Sequence, residues 1–350
     1  MSSSLSVSYS SIIRVIVVLI SLVFLYLIRD IILILFLSFI IAAALDPWVN
    51  WFERRRLPRA VGVFAAYAVF FTILSVIGVL LAPAVAHQFK ELSASLPGYY
   101  ERFIKEIDAV SLSTPEAGQE ITGLAKTLGS FAGNIIPALR SAIGGGFTIF
   151  LLLVLTFYLA IEDRSLKRLL RSILPDQYQP YLTRMINRID EKIGLWFRGQ
   201  LLLSFIIFIL TAIGLFIVHQ ITGEVPFWLL LALIAGVLEV IPFLGPGIAG
   251  IIAVLLVLPN SFPVAVIVAV LSFVIQQIEN NLLVPNIMQK SVGLNPIIVI
   301  LVIVIGTRLA GVLGALIAIP LTASLMVVLK DIRSQNPLPS SASAPPAEPL

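Results

Sequence analysis

Two carboxylates stand inside sequence that is otherwise apolar enough for a lipid bilayer. Glu239 lies near the end of the apolar run 227–241 and is followed by Pro242, Gly245, Pro246 and Gly247. Glu279 lies in Gln276-Gln277-Ile278-Glu279-Asn280-Asn281, with long apolar runs on both sides. An ionisable group at membrane depth costs about 2.5–3.5 kcal/mol on insertion scales. Groups kept at that cost point to a polar pathway, with carboxylates as proton or cation sites and amides as donors and acceptors. Gln276, Glu279 and Asn280 are spaced i, i+3, i+4, and Gln277 and Asn281 form a second i, i+4 pair, so a helix would gather them on one broad face. That face must turn to protein or to a water-filled cavity. The plainer alternatives are interhelical hydrogen bonding, worth about 0.6 kcal/mol per contact, or placement at the interface near Pro285 and Lys290.

The segment from Ile241 to Gly247 carries two prolines and two glycines. Proline removes a backbone donor and glycine admits conformations closed to other residues. Such a segment leaves carbonyls free and survives in a membrane only if it is buried or lines a cavity. The alternative is a surface loop with Glu239 in water. Arg308 sits between the apolar pieces 296–306 and 309–329. It could clamp an anion, snorkel, or pair with Glu239 or Glu279, and spacing does not rank these roles.

Other chemistries find no support. The chain has no cysteine, hence no disulfide, thiolate metal site or cysteine nucleophile. Gly245, Gly247 and Gly250 match a dinucleotide fingerprint by letter, but no strand precedes them and no acid follows at the required distance. His87 and His219 lack metal-site spacing. No nucleophile–base pair can be assembled. Neither an enzyme nor a cofactor is expected.

The surrounding elements must hold these groups in a membrane. Of 350 residues, 59% are apolar and only 12% charged; mean hydropathy is +1.05. A soluble domain is about 25% charged. The reading is an all-α polytopic membrane protein with about eight transmembrane segments, two of them broken or hairpin segments. Full spans are expected at 12–28, 31–45, 61–82, 143–161, 199–218 and 262–283, with a turn at Arg29-Asp30. The broken regions are 227–241 with 247–258, and 296–306 with 309–329. Arginines in 46–60 and the basic loop 162–198 place both loops in the cytoplasm by the positive-inside rule, together with both termini. The more acidic 83–142 belongs outside. This parity makes the broken regions two hairpins entering from opposite sides, with tips near 242–246 and 306–308, an arrangement that points to a transporter site.

Four regions follow: transmembrane segments over 1–82, an extracytoplasmic amphipathic insertion over 83–142, a transport region over 143–333 with the connector 162–198, and a disordered tail over 334–350. The outer insertion has three apolar stripes, with a break at Pro97-Gly98 between the first two. The third is Ile121, Leu124, Leu128 and Phe131. The connector is basic and amphipathic, interrupted at Pro175 and Pro180. The net charge of +4 and pI of 9.4 reflect short loops beside apolar runs, which suits lipid headgroups and not nucleic acid.

Several blocks, in order, resemble the autoinducer-2 exporter (AI-2E, PerM-like) transporter family. They are Pro47 to Arg59, Phe157-Tyr158-Leu159 with Asp163, Gly194 to Gln200, and Glu239 to Pro246. Then come Gln276 to Pro285, Leu294-Asn295-Pro296, Gly311 with Gly314, and Ala318 to Leu321. Where the family often has histidine before the position of Pro296, this chain has Asn295. The resemblance covers roughly 12–330. It implies a bacterial inner-membrane transporter forming homo-oligomers, pentamers among the expected states. In this family some members export autoinducer-2 and others exchange sodium or lithium for protons.

The expected function is export of a small polar solute of autoinducer-2-like chemistry. Its pathway would contain Glu239, Pro242, Gly245, Pro246, Gln276, Gln277, Glu279, Asn280, Asn281 and Arg308. The alternatives are a Na+(Li+)/H+ antiporter using the same carboxylates and a non-transporting membrane scaffold acting through 83–142 and 164–193. The expected partners are accordingly a small solute or a monovalent cation and proton, the lipid bilayer, and further copies of the chain.

Overall fold

The computed structural model describes residues 9–111, 146–172, 175, 179–242, 244–288 and 295–335, and these are almost wholly helical. In chain order the helices are α1 (Tyr9–Leu27), α2 (Arg29–Arg54), α3 (Arg59–Ser111), α4 (Gly146–Ser172) and α5 (Gln179–Thr222). They continue with α6 (Trp228–Leu238), α7 (Leu244–Val257), α8 (Phe262–Ile278), a π-helical turn (Glu279–Leu283), α9 (Val284–Met288) and α10 (Pro296–Gln335). Five helices are long and apolar enough to cross a membrane: Arg29–Arg54, Arg59–Gln88, Gln179–Thr222, Phe262–Met288 and Ile297–Asp331. Large apolar side chains are exposed along all of them, among them Phe64, Val79, Phe205, Ile213, Phe273 and Leu309. In water so much exposed apolar surface would be a liability. In a bilayer it is the solvent-facing side, and the helices satisfy their own backbone groups.

Three helices are more continuous than their sequences imply. The reversal expected at Arg29-Asp30 is absent. Ile28 donates to the Phe24 carbonyl and accepts from the Ile32 N–H, both at 3.0 Å, so the helical ladder runs through the junction with a local bend. No glycine or proline stands at 28–30 to turn the chain. The segments 12–28 and 31–45 are therefore not an antiparallel pair, and no reversal there sets the side of the N-terminus. Similarly, α3 runs unbroken through Pro97-Gly98 for 53 residues. At 1.5 Å per residue that is about 80 Å, far beyond a hydrocarbon core of about 30 Å. Pro180 lies at the start of α5, where its missing N–H is harmless, so most of the basic connector continues directly into the span. The third stripe, Ile121 to Phe131, and the tail beyond 335 lie outside the described residues.

Both expected hairpins are present. α6 and α7 fold against one another across a turn starting at Glu239. In the second, α10 is interrupted by non-helical dihedrals at Ala310 and Gly311. Gly311 takes φ +60°, a left-handed conformation that glycine adopts without penalty. The arms then close until the backbones of Gly306 and Gly314 touch. That tip falls a few residues beyond the expected 306–308, because Gly311 is where the chain can change hand.

The elements are locked by a few polar contacts. Pro47 cannot donate, which frees the Ala43 carbonyl within α2; Arg198 of α5 donates to the Ala43 and Ala44 carbonyls at 3.4 and 3.1 Å. Arg59 joins α2, α3 and α4, donating to Asp46 at 2.6 Å, Asn50 at 3.1 Å and the Ala160 carbonyl at 2.7 Å. The first turn of α6 lacks a local side-chain cap. Instead, Gln88 of α3 accepts from the Leu230 N–H at 2.9 Å. Apolar clusters fill the rest. One joins α5 to α8 around Leu215, Leu231, Val257 and Val268; another joins α2, α5 and α10 around Ile40, Trp196, Ile303 and Ile319.

Candidate functional site

The tip of the first hairpin is built by removal of backbone donors and by one missing side chain. Pro242 cannot donate to the Leu238 carbonyl, so α6 ends and the chain turns. Gly245 then passes so close to the Leu238 carbonyl and the Glu239 amide that any Cβ would overlap them. Its N–H closes the turn on the Ile241 carbonyl at 3.0 Å. Within this turn Glu239 is drawn inward and is 1% exposed.

Against it lies α5. Gly236, one turn before Glu239, lets α5 approach until an added methyl would meet Phe208 at 2.7 Å and the Ser204 carbonyl at 3.1 Å. This register puts Gln200, one turn before Ser204, at the hairpin tip. Gln200 is 2% exposed. Its Nε2 donates to the Glu239 backbone carbonyl at 2.5 Å and to Glu239 Oε1 at 3.3 Å.

Glu279 comes from the third direction. It is 3% exposed and opens the π-helical turn Glu279–Leu283. A π turn widens a helix by one residue and often marks a functional position. Its carboxyl is within electrostatic reach of the Glu239 carboxyl. Both carboxyls are thus buried, and the charge of one is felt at the other. Glu239 Oε2, Glu279 Oε2, Gln200 Oε1 and Ser204 Oγ are all buried without a hydrogen-bond partner. Among the described residues no basic side chain pairs with either carboxylate.

The other pathway candidates separate into two groups. Pro246 and Gln276 line a small cavity between α5, α6, α7 and α8, together with Thr211, Gly250 and Ser272. Gln277, Asn280 and Asn281 are exposed. Asn281 Nδ2 donates to Gln277 Oε1 at 2.9 Å and to its carbonyl at 3.0 Å, so this i, i+4 pair satisfies itself. The expectation of one broad inward face is corrected. Gln276 and Glu279 turn inward, whereas Gln277, Asn280 and Asn281 are exposed. Arg308 is exposed beside the tip of the second hairpin.

Residue-by-residue reading passed over Gln200 and Ser204. Gln200 directly follows the basic stretch ending at Arg198 and so looks interfacial. The available signal was a glutamine beginning an apolar run that contains no other amide before residue 220.

A helical, lipid-facing bundle with a buried carboxylate pair at a broken hairpin defines a membrane transporter. The model of the AI-2E family transporter matches residues 15–334, and the chain belongs to that family. It is similar to YrrI of Bacillus subtilis (strain 168), by name a candidate transport protein, with 27% identity over 310 residues, 86% of each chain. It is similar to YueF of the same organism, also named as a candidate transport protein, at 26% over 320 residues, 85% of this chain and 84% of that one. It is also similar to the AI-2 transport protein TqsA of Escherichia coli (strain K12), at 27% over 315 residues, 84% of each. The chain is a multi-pass membrane protein of a bacterial transporter family and not an enzyme.

Proposed function

We propose that the chain is a secondary exporter of a small, hydroxyl-rich polar solute of autoinducer-2-like chemistry, driven by proton movement through the Glu239–Glu279 pair. The observation that carries this is the burial of both carboxylates with an oxygen left free on each. Two like charges in apolar surroundings with no cation beside them are strongly unfavourable. Moving a proton on and off the pair is the least costly way to change its charge, and a hairpin tip can respond to that change. Gln276 and the small cavity beside Pro246 supply donors and acceptors for the solute. The name of TqsA makes autoinducer-2 the first solute to try.

The working architecture has a cytoplasmic C-terminus, a place in the bacterial inner membrane, and self-association, with a pentamer as one candidate state. A second reading is Na+(Li+)/H+ antiport. The free amide oxygen of Gln200 at Glu239 favours it, because hard monovalent cations take oxygen ligands.

Proteoliposomes loaded with a pH dye and labelled solute separate the readings. Solute efflux without a Na+- or Li+-dependent proton signal supports the exporter, and the converse supports the antiporter. Absence of any flux across the panel would leave the chain a membrane scaffold.

A further inference from the structure

We propose that Gln200 is a positioning residue that clamps the tip of the first hairpin to α5 and loosens it when Glu239 takes up a proton. The inference deepens the proton-coupled reading above and rests on it. Gln200 holds residue 239 twice, through the backbone carbonyl at 2.5 Å and through Oε1 at 3.3 Å. The first bond fixes the turn itself, and the second depends on the state of the carboxyl. A primary amide has two N–H donors and one acceptor oxygen. Here both polar contacts use the donor end, while Gln200 Oε1 is buried without a partner. A hydrogen bond to an ionised carboxylate is roughly twice as strong as a neutral one.

Proton uptake changes both sides of this balance. The proton, drawn from water, adds to a lone pair on Glu239 Oε2, and no other covalent bond forms or breaks. It removes the charge that strengthens the contact to Oε1. It also creates a buried O–H donor, for which Gln200 Oε1 is a free acceptor. Turning the amide to meet it withdraws Nε2 from the Glu239 carbonyl, and the tip loses its tie to α5. A leucine could make neither contact, and an asparagine is one methylene too short to span both. The titratable group that acts on Glu239 is Glu279, from the π turn after α8; α5 presents Gln200, and α6 and α7 carry no charged group among the described residues. Arg198, also on α5, is turned to the α2 carbonyls.

The test needs no solute. Wild type, Gln200→Leu and Gln200→Asn are reconstituted in lipid and titrated. The infrared stretch of protonated carboxyls marks the pH at which the pair takes up its proton. Hydrogen–deuterium exchange of the peptide spanning 238–247, corrected for the intrinsic pH dependence of exchange, reads the clamp. In the wild type, tip exchange should rise roughly tenfold as the carboxyl band appears, the factor expected for losing one hydrogen bond to a charged group. In both variants exchange should be fast throughout and independent of that band. The clamp is overturned if wild-type tip exchange ignores the carboxyl titration, or if either variant keeps the wild-type dependence. Should Gln200→Leu fail to fold, Gln200→Asn decides. A clamp that titrates in a chain that moves no solute or ion would sink the transport reading alone. Flux with a tip that ignores pH would sink the clamp alone.

Discussion

The two hairpins reverse direction by different means. The first turns on a polar, tightly filled tip where Pro242 and Gly245 force Glu239 inward against Gln200. The second turns on Ala310-Gly311 and is held by backbone contact between Gly306 and Gly314, with exposed residues at its tip. One tip encloses charge, and the other only brings two helical arms together. The difference separates chemistry from shape: a broken helix in a membrane is not by itself a site. It becomes one where buried polar atoms are left without partners.

This contrast can be broken by substitution. The largest effect should come from Glu279→Gln, and equally from Glu239→Gln. Either should reduce flux in proteoliposomes to the level of empty vesicles while the protein still elutes as wild type on size exclusion. Transport surviving Glu279→Gln would remove that carboxylate from the site. Next in size is Gly306→Leu. It pushes the arms of the second hairpin apart, and overpacking of this kind costs about 1–3 kcal/mol. Thermal unfolding in detergent should show the loss, in contrast to the two glutamine variants, which should melt near wild type.

A comparable loss, about 1–3 kcal/mol, should follow Gly311→Ala, because an alanine must then combine φ +60° with ψ −142°, a region nearly confined to glycine. An unchanged melting temperature would mean that the second turn is not strained by a side chain. The smallest effect belongs to Gln277→Ala. Its exposed hydrogen bond to Asn281 should be worth about 0.6 kcal/mol, and flux should stay near wild type. A large transport defect there would show that the exposed amides belong to the pathway after all.

Much of this was legible before any coordinates. Punctuation by Pro-Gly-rich and glycine-bearing breaks located both hairpins, since the first tip loses backbone donors and the second has a glycine free to leave helical dihedrals. Burial of Glu239 and Glu279 followed from the cost of a carboxylate in lipid. Three features escaped. Arg29-Asp30 looked like a turn because charged pairs often sit at interfaces, yet nothing there prevents a helix from continuing. Pro97-Gly98 looked like a break, yet α3 carries on through it. The polar run 276–281 looked like one inward face, yet only Gln276 and Glu279 turn inward and Gln277, Asn280 and Asn281 are exposed.

By itself, then, the sequence determined that this is a helical membrane protein with two reversals and two costly carboxylates. Those conclusions depend on local backbone chemistry and on transfer energies, which residue order contains directly. Only the tertiary structure decided that both carboxylates are buried and that Gln200 reaches Glu239. Glu239 is buried only because the first hairpin packs against α5 and α8. That choice was made by small side chains such as Gly236, and by a glutamine on α5 whose partner lies 39 residues away.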